Sequence, residues 1–298
     1  MTPNMRWKDG FIAADWGTTN RRAYRIGADG SCAAEFEDGR GALSIPAGGY
    51  PDAVAEIRAR LGDQPLLLAG MVGSNRGWVE APYVACPAGL DELAAGLVWP
   101  ADDVAIVPGL SFLGANRADV MRGEEVQLLG ALAEGMIPAD ALVCHPGTHN
   151  KWVTIAAGRI ARFRTVMTGE LFNLLRAHSI LADLLQPDAE PDDAFRAGVR
   201  HGLAEADLPA ELFQVRARVL LGQARREDAA AYTSGLLIGG DVRIGLAEGA
   251  SDPIVVMGRP ELTELYAAAL GQAGRQAVEL DGERCFLAGI RHIAERIA

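Results

Sequence analysis

"AADWGTTNRRAYRI" (residues 13–26) is answered by "VCHPGTHNKWVTI" (residues 143–155). Setting Gly17 on Gly147 also sets Thr18 on Thr148, Asn20 on Asn150 and Arg21 on Lys151, so the second stretch repeats the first at one fixed offset. Each enters as an apolar run, breaks at a Gly-Thr turn and resumes as a second strand-like run. A hairpin restated near the midpoint of a 298-residue chain predicts two related lobes, each large enough for its own core. We expect them at residues 1–139 and 140–298.

The turn carries chemistry as well as topology. Between two strands, Gly-Thr presents consecutive backbone N–H groups and a hydroxyl, a donor set that suits the oxygens of a terminal phosphate. Asp15 precedes the first turn, where a carboxylate can hold Mg2+ or its water, because magnesium takes oxygen ligands. A plain hairpin with a turn-stabilising aspartate accounts for either turn alone. Their repetition favours a pair of turns that grip a nucleotide's phosphates from both sides, with His149 and Lys151 as further donors. Lys151 stands out because the chain has only one other lysine, Lys8.

Outward from the turns, helix and strand signals alternate. "YPDAVAEIRARLGD" (50–63) places Val54, Ile57 and Leu61 at helical spacing after a Pro-Asp start. "PLLLAGMVGS" (65–74) and "DVAIVPGL" (103–110) each run from a buried strand into a glycine loop. Residues 119–136 predict a helix beginning near Gly123 and ended by Pro138. A second strand-turn-strand covers 141–168, and helices are expected over 170–185, 191–203, 208–222 and 226–248. The strand "PIVVMG" (253–258), a helix over 261–274, the strand "AVEL" (277–280) and a terminal helix from 283 complete an α/β pattern.

Composition removes several classes. Hydrophobic content of 49% and charged content of 22% are those of a globular protein. A net charge of -11 argues against nonspecific binding to nucleic acid or to an anionic membrane. No run approaches the roughly 20 apolar residues that span a bilayer. Cys32, Cys86, Cys144 and Cys285 form no CxxC and suit reduced thiols. With no signal-like stretch at the start, a cytoplasmic location is expected. P-loop, GxGxxG, HExxH and GxSxG signatures are absent, so any phosphate is held by another device.

Six segments together resemble the 2-dehydro-3-deoxygalactonokinase family of the actin-like ATPase superfamily. They are "DWGTTNRRAY" (15–24), "LAGMVGSNRGWVEAPYVACPA" (68–88), "VMRGEEVQLLGA" (120–131), "PGTHNKWV" (146–153), "FRTVMTGELF" (163–172) and "SGLLIGG" (234–240). The resemblance implies two ribonuclease H-like lobes with a nucleotide cleft between them. It also implies ATP and Mg2+, and phosphorylation of 2-dehydro-3-deoxy-D-galactonate at its terminal hydroxyl in D-galactonate catabolism.

On that basis Gly17, Thr18 and Thr19 cradle the transferred phosphate, Asp15 holds magnesium, and Gly147, Thr148, His149 and Lys151 approach from the other lobe. His145 stands where many superfamily members place an acid, so no metal ligand is expected in the second turn. The sugar hydroxyl needs a base, for which "RGEE" offers Glu124 and Glu125. A helix-start acid pair is their purely structural explanation. The substrate carboxylate calls for an arginine fork, with Arg22 and Arg164 as candidates. Asn20, Ser74, Asn75, Trp78 and Thr165 complete the expected sugar-acid site, most of it in the first lobe. Gly258 marks the adenosine element, whose usual second glycine is replaced by Arg259. Ala288 and Gly289 allow close packing of the terminal helix near the hinge. A kinase for the gluconate epimer, an exopolyphosphatase-like hydrolase and a nucleotide-dependent sensor stay open as alternatives, as does a homodimer.

Overall fold

Strand β1 (Gly10–Trp16) pairs antiparallel with β2 (Arg21–Gly27) from Gly10↔Gly27 to Trp16↔Arg21, so residues 17–20 are the whole of the first turn. The structure is a computed structural model that describes residues 7–186, 189–249 and 252–297. After β3 (Cys32–Asp38), helix α1 (Tyr50–Leu61) crosses over to β4 (Leu66–Gly70), which lies parallel to β1. The five residues "LLLAG" are all buried, as expected of a parallel strand covered on both faces. Val54, Ile57 and Leu61 of α1 pack on Ile12, Ala14, Trp16, Leu66 and Leu68 in one core.

Next come β5 (Val84–Ala85), α2 (Leu90–Ala95), β6 (Val98–Ala101), β7 (Val104–Ile106), β8 (Leu110–Gly114), β9 (Arg117–Met121) and α3 (Glu124–Ala133). The first sheet has the order β3-β2-β1-β4-β7-β6, and β5-β8-β9 form a small separate sheet. Residues 119–121, read from sequence as the approach to a helix, are the end of β9. Gly123, at φ +109°, breaks the strand so that the helix starts at Glu124.

Strands β10 (Ala141–His145) and β11 (Asn150–Ala156) restate the first hairpin, in register from Ala141↔Ile155 to His145↔Lys151. There follow β12 (Arg159–Val166), α4 (Thr168–His178), α5 (Asp193–Ala204), α6 (Leu208–Leu220), α7 (Ala229–Leu246), β13 (Ile254–Gly258), α8 (Pro260–Gln272), β14 (Ala277–Asp281) and α9 (Gly282–Glu295). The second sheet has the order β12-β11-β10-β13-β14, with β13 parallel to both neighbours. Its core gathers Leu142, Cys144, Trp152, Phe195, Val199, Val242 and Val256. The glycines of "SGLLIGG" serve helix packing: a Cβ on Gly235 would lie 2.1 Å from the Phe195 carbonyl oxygen of α5.

The chain forms two compact units, Met1–Ala139 with Ala157–Arg162 and Glu283–Ala298, and Asp140–Ala156 with Phe163–Gly282. The terminal helix therefore belongs to the first unit, not to the lobe over 140–298 in which the sequence analysis placed it. The reason is backbone contact between α3 and α9. A Cβ on Gly130 would lie 2.2 Å from the Cys285 carbonyl oxygen, and one on Gly289 would lie 2.0 Å from that of Val126. None of the four cysteines is in a disulfide. No described helix is long and apolar enough to cross a membrane.

Candidate active site

The first turn is fastened from beneath. The carbonyls of Gly17, Thr18 and Thr19 accept from the N–H groups of Ala42, Leu43 and Gly41 at 2.9, 3.2 and 2.9 Å, and the Trp16 indole donates to the Arg40 carbonyl at 2.9 Å. Gly41 can lie this close only without a side chain, since its Cβ would stand 2.4 Å from the Thr18 oxygen. With the carbonyls committed to that segment, the turn's N–H groups and the exposed Thr18 and Thr19 side chains are what it can offer an anion.

Asp15, half-buried, sits one residue before the end of β1 and opposite Arg22. Gly70, at φ +92°, ends the neighbouring strand, where a Cβ would lie 2.8 Å from the Trp16 oxygen and 3.5 Å from Asp15 Oδ1. A Cβ on Gly123 would in turn lie 3.4 Å from Gly70 Cα. Two glycines thus let the start of α3 approach the strand end that carries Asp15.

That approach separates the acid pair. Glu125 is fully buried and accepts from the Gly123 N–H, and burial together with the neighbouring Glu124 charge pushes its carboxyl up to about 8. Glu124 is only half-buried and accepts from the Arg122 N–H at 3.1 Å. Arg122 braces the loop before it, donating to the Ala81 carbonyl at 2.7 Å and lying 4.5 Å over the Tyr83 ring.

The substrate candidates divide by what already holds them. Ser74 is buried with its hydroxyl on the Met71 carbonyl at 2.8 Å, and Trp78 stacks on Tyr50 at 5.8 Å against the core. Both shape the loop and leave Asn75 exposed at its tip. Asn20 is exposed and reaches Glu37 at 3.3 Å. Arg22 is clasped by Glu37 at 2.9 Å and Glu283 at 3.1 Å, and Arg164 by Glu248 at 3.3 Å. A substrate carboxylate can use either guanidinium only in competition with these acids. Thr165 is half-buried on β12 beside Arg164.

In the second unit, residues 146–149 make the turn. A Cβ on Gly147 would meet nothing within 4 Å, so this face of the turn is open. His149 Nε2 lies 2.5 Å from Glu170 Oε2, with the imidazole half-exposed. Asn150 is fully buried and Lys151 is 5% exposed, so the lysine is no surface residue. A Cβ on Gly258, at the end of β13, would lie 3.6 Å from Pro146, so the adenosine candidate stands beside the turn.

One residue that organises this unit has no sequence signal of its own. Asp241, 1% exposed on α7, accepts from Asn150 Nδ2 at 3.0 Å, Trp152 Nε1 at 2.7 Å, and Thr168 Oγ1 and Tyr266 Oη at 2.5 Å each. Burial raises its carboxyl above the usual range while these four donors oppose the shift. Its partners lie 25 to 91 residues away, beyond any local pattern.

The pattern of the 2-keto-3-deoxy-galactonokinase family matches residues 15–293. The chain is 38% identical over 293 residues to the 2-dehydro-3-deoxygalactonokinase of Escherichia coli K12, covering 97% of this chain and 98% of that one. It is 36% identical over 304 residues to a Rhizobium meliloti protein assigned as the same kinase, covering 96% and 97%. A crystal structure from Sinorhizobium meliloti, of a protein assigned the same way, superposes with a TM-score of 0.90 at 36% identity over 96% of this chain and 98% of that one. The Acidaminococcus fermentans (R)-2-hydroxyglutaryl-CoA dehydratase component A shares the fold alone, with a TM-score of 0.52 at 12% identity, covering 97% and 98%. The α/β fold is that of the actin-like ATPases and sugar kinases. By sequence and by structure along nearly its whole length, the chain belongs to the 2-keto-3-deoxy-galactonokinase family.

Proposed function

We propose that the protein transfers the terminal phosphoryl group of ATP to the terminal hydroxyl of 2-dehydro-3-deoxy-D-galactonate, giving the 6-phosphate in D-galactonate catabolism. The observation that carries this is the near full-length kinase relationship on a chain that states the Gly-Thr phosphate turn twice. The enzyme is a sugar-acid kinase, and the relatives lend no support to a polyphosphatase.

The transferred phosphate rests on the N–H groups of Gly17, Thr18 and Thr19, with Gly147, Thr148, His149 and Lys151 supplying donors to the nucleotide's phosphates and Gly258 lining the adenosine. Phosphoryl transfer depends chiefly on positioning and charge neutralisation, and fixed turn donors supply both. Asp15 fits magnesium as a half-buried carboxylate at a strand end beside a phosphate turn. Mg2+ is commonly held by one or two carboxylates plus the phosphates themselves, so one protein oxygen ligand suffices. The metal supplies neutralisation of phosphate charge.

Glu124 is the base. Glu125 is fully buried with its carboxyl pushed up to about 8, whereas Glu124 is half-buried and open to a ligand, so the two adjacent acids take different roles. The Glu124 carboxylate takes the proton of the sugar hydroxyl, the hydroxyl oxygen bonds to the γ-phosphorus, and the bond to the bridging oxygen breaks to release ADP. Asn20 and Asn75 bind the sugar acid from exposed positions, Asn75 on the loop shaped by Ser74 and Trp78. Arg22 and Arg164, with Thr165, exchange a protein acid for the substrate carboxylate.

The test is ADP release by purified enzyme with Mg2+, comparing 2-dehydro-3-deoxygalactonate, its gluconate epimer, polyphosphate and no acceptor. Turnover that favours the galactonate compound is expected. Phosphate release without any sugar-acid dependence would overturn the assignment.

A further inference from the structure

The segment "MTGE" (167–170) opens α4, and three consecutive residues of it are each spent on the second turn. Thr168 Oγ1 donates to Asp241, the residue that also holds Asn150 at the end of the turn. Gly169 lies against the turn's backbone, where a Cβ would stand 2.6 Å from the Gly147 oxygen and 2.9 Å from Thr148 Cα. Glu170 donates its backbone N–H to the Thr148 carbonyl at 2.9 Å and places Oε2 2.5 Å from His149 Nε2.

We propose that Glu170 is a positioning residue for phosphoryl transfer, one that holds the His149 imidazole in a fixed orientation for the nucleotide's phosphates. The proposal rests on the second turn being a phosphate-binding turn. An imidazole on a half-exposed turn has two free torsions, and a carboxylate on Nε2 removes that freedom. Nδ1 is then the ring nitrogen left to face the nucleotide. Because Glu170 is itself fixed by its backbone bond to Thr148, carboxylate and imidazole are held by the same turn. The geometry is the one in which a group acts through its neighbour: an acid that orients a ring and never touches the ligand. A helix start built only for stability needs neither the absence of a side chain at 169 nor an acid aimed at the turn's histidine.

The experiment compares wild type with Glu170→Gln, His149→Gln and the double variant, reading the Kd of a nonhydrolysable ATP analogue by calorimetry alongside KM, kcat and Tm. Gln keeps the size of Glu and removes its charge. Glu170→Gln is expected to raise Kd and KM for ATP about three- to tenfold, the range of one partly exposed charge-assisted contact. Tm should stay within about 1–2 °C of wild type, because an exposed pair contributes little to stability. Adding Glu170→Gln to His149→Gln should change nothing further. Additive losses in the double variant, or unaltered nucleotide binding in Glu170→Gln, would overturn the proposal. Should the wild type show this nucleotide pattern yet phosphorylate no sugar acid, the substrate assignment falls while the role of Glu170 stands.

Discussion

Both carboxylate oxygens of Glu125 lie on a single donor, the Gly123 N–H, at 2.8 and 2.7 Å, in a side chain with no solvent exposure. The N–H groups of Gly123 and of Glu125 itself do not offset the burial of the charge, so the folded protein favours the protonated acid. The carboxyl moves from 4.5 to about 8, with burial first and Glu124 second among the causes. Since the folded state holds this proton where the unfolded chain has lost it, the stabilisation is complete below about pH 4.5 and is lost as pH rises through about 8. Thermal melts should therefore show Tm falling across that window. Glu125→Gln, which is neutral throughout, should flatten the fall and be the more stable protein at pH 8.

Glu124 should behave differently under the same change. Glu124→Gln is expected to lower kcat by about 10²- to 10⁴-fold, the usual contribution of a general base, with KM for either substrate changed much less. Steady-state kinetics on the two single variants checks this. A larger kcat loss in Glu125→Gln would reverse the assignment.

Gly147 and Gly41 make a matched pair. A methyl on Gly147 enters open space, whereas one on Gly41 stands 2.3 Å from the Thr19 carbonyl carbon. Gly147→Ala should keep the wild-type Tm and bind ATP more weakly, because the methyl occupies the face proposed for phosphate. Gly41→Ala should lower Tm by several degrees, from overpacking of about 1–3 kcal/mol. Differential scanning calorimetry with nucleotide titration separates the two outcomes.

Asp241→Ala removes one acceptor and strands the Asn150 amide, the Trp152 indole and the Thr168 and Tyr266 hydroxyls. A destabilisation of about 3–5 kcal/mol is expected, read as a Tm loss of roughly 5–15 °C. Nucleotide affinity should fall as well, since Asn150 and Thr168 flank the second turn and the helix against it.

Packing of α9 on α3 can be tested apart from chemistry. Gly289→Ala sets a methyl 2.0 Å from the Val126 carbonyl oxygen. Neither helix backbone can give way cheaply, so a loss of about 1–3 kcal/mol is expected in urea unfolding.

Much of this molecule was legible before any coordinates. The duplicated turn announced two hairpins, and their pairing runs in register up to the residues that bound each turn. Helix α1 follows its Val54, Ile57 and Leu61 spacing, and β4 follows its apolar run. Less legible were the short strands β5, β6, β8 and β9, whose two to five residues carry too little periodicity to register. The helix start read near Gly123 falls at Glu124, while the strand over residues 117–121 that meets it at this positive-φ glycine was not read.

Turn chemistry, strand alternation and helix faces are local matters, governed by steric preference and by which residues can leave water, and so they can be read along the chain. Partnership and polarity of surroundings are not local. Only the folded chain sets Arg22 between Glu37 and Glu283, which are 15 and 261 residues distant, and places the Ser74 hydroxyl on the Met71 carbonyl and Trp78 on Tyr50. It alone distinguishes Glu124 from its neighbour Glu125 and assembles four distant donors around Asp241. Burial decides those cases, because a charge's free energy depends on the dielectric and the donors around it, and packing brings those together from separate parts of the sequence.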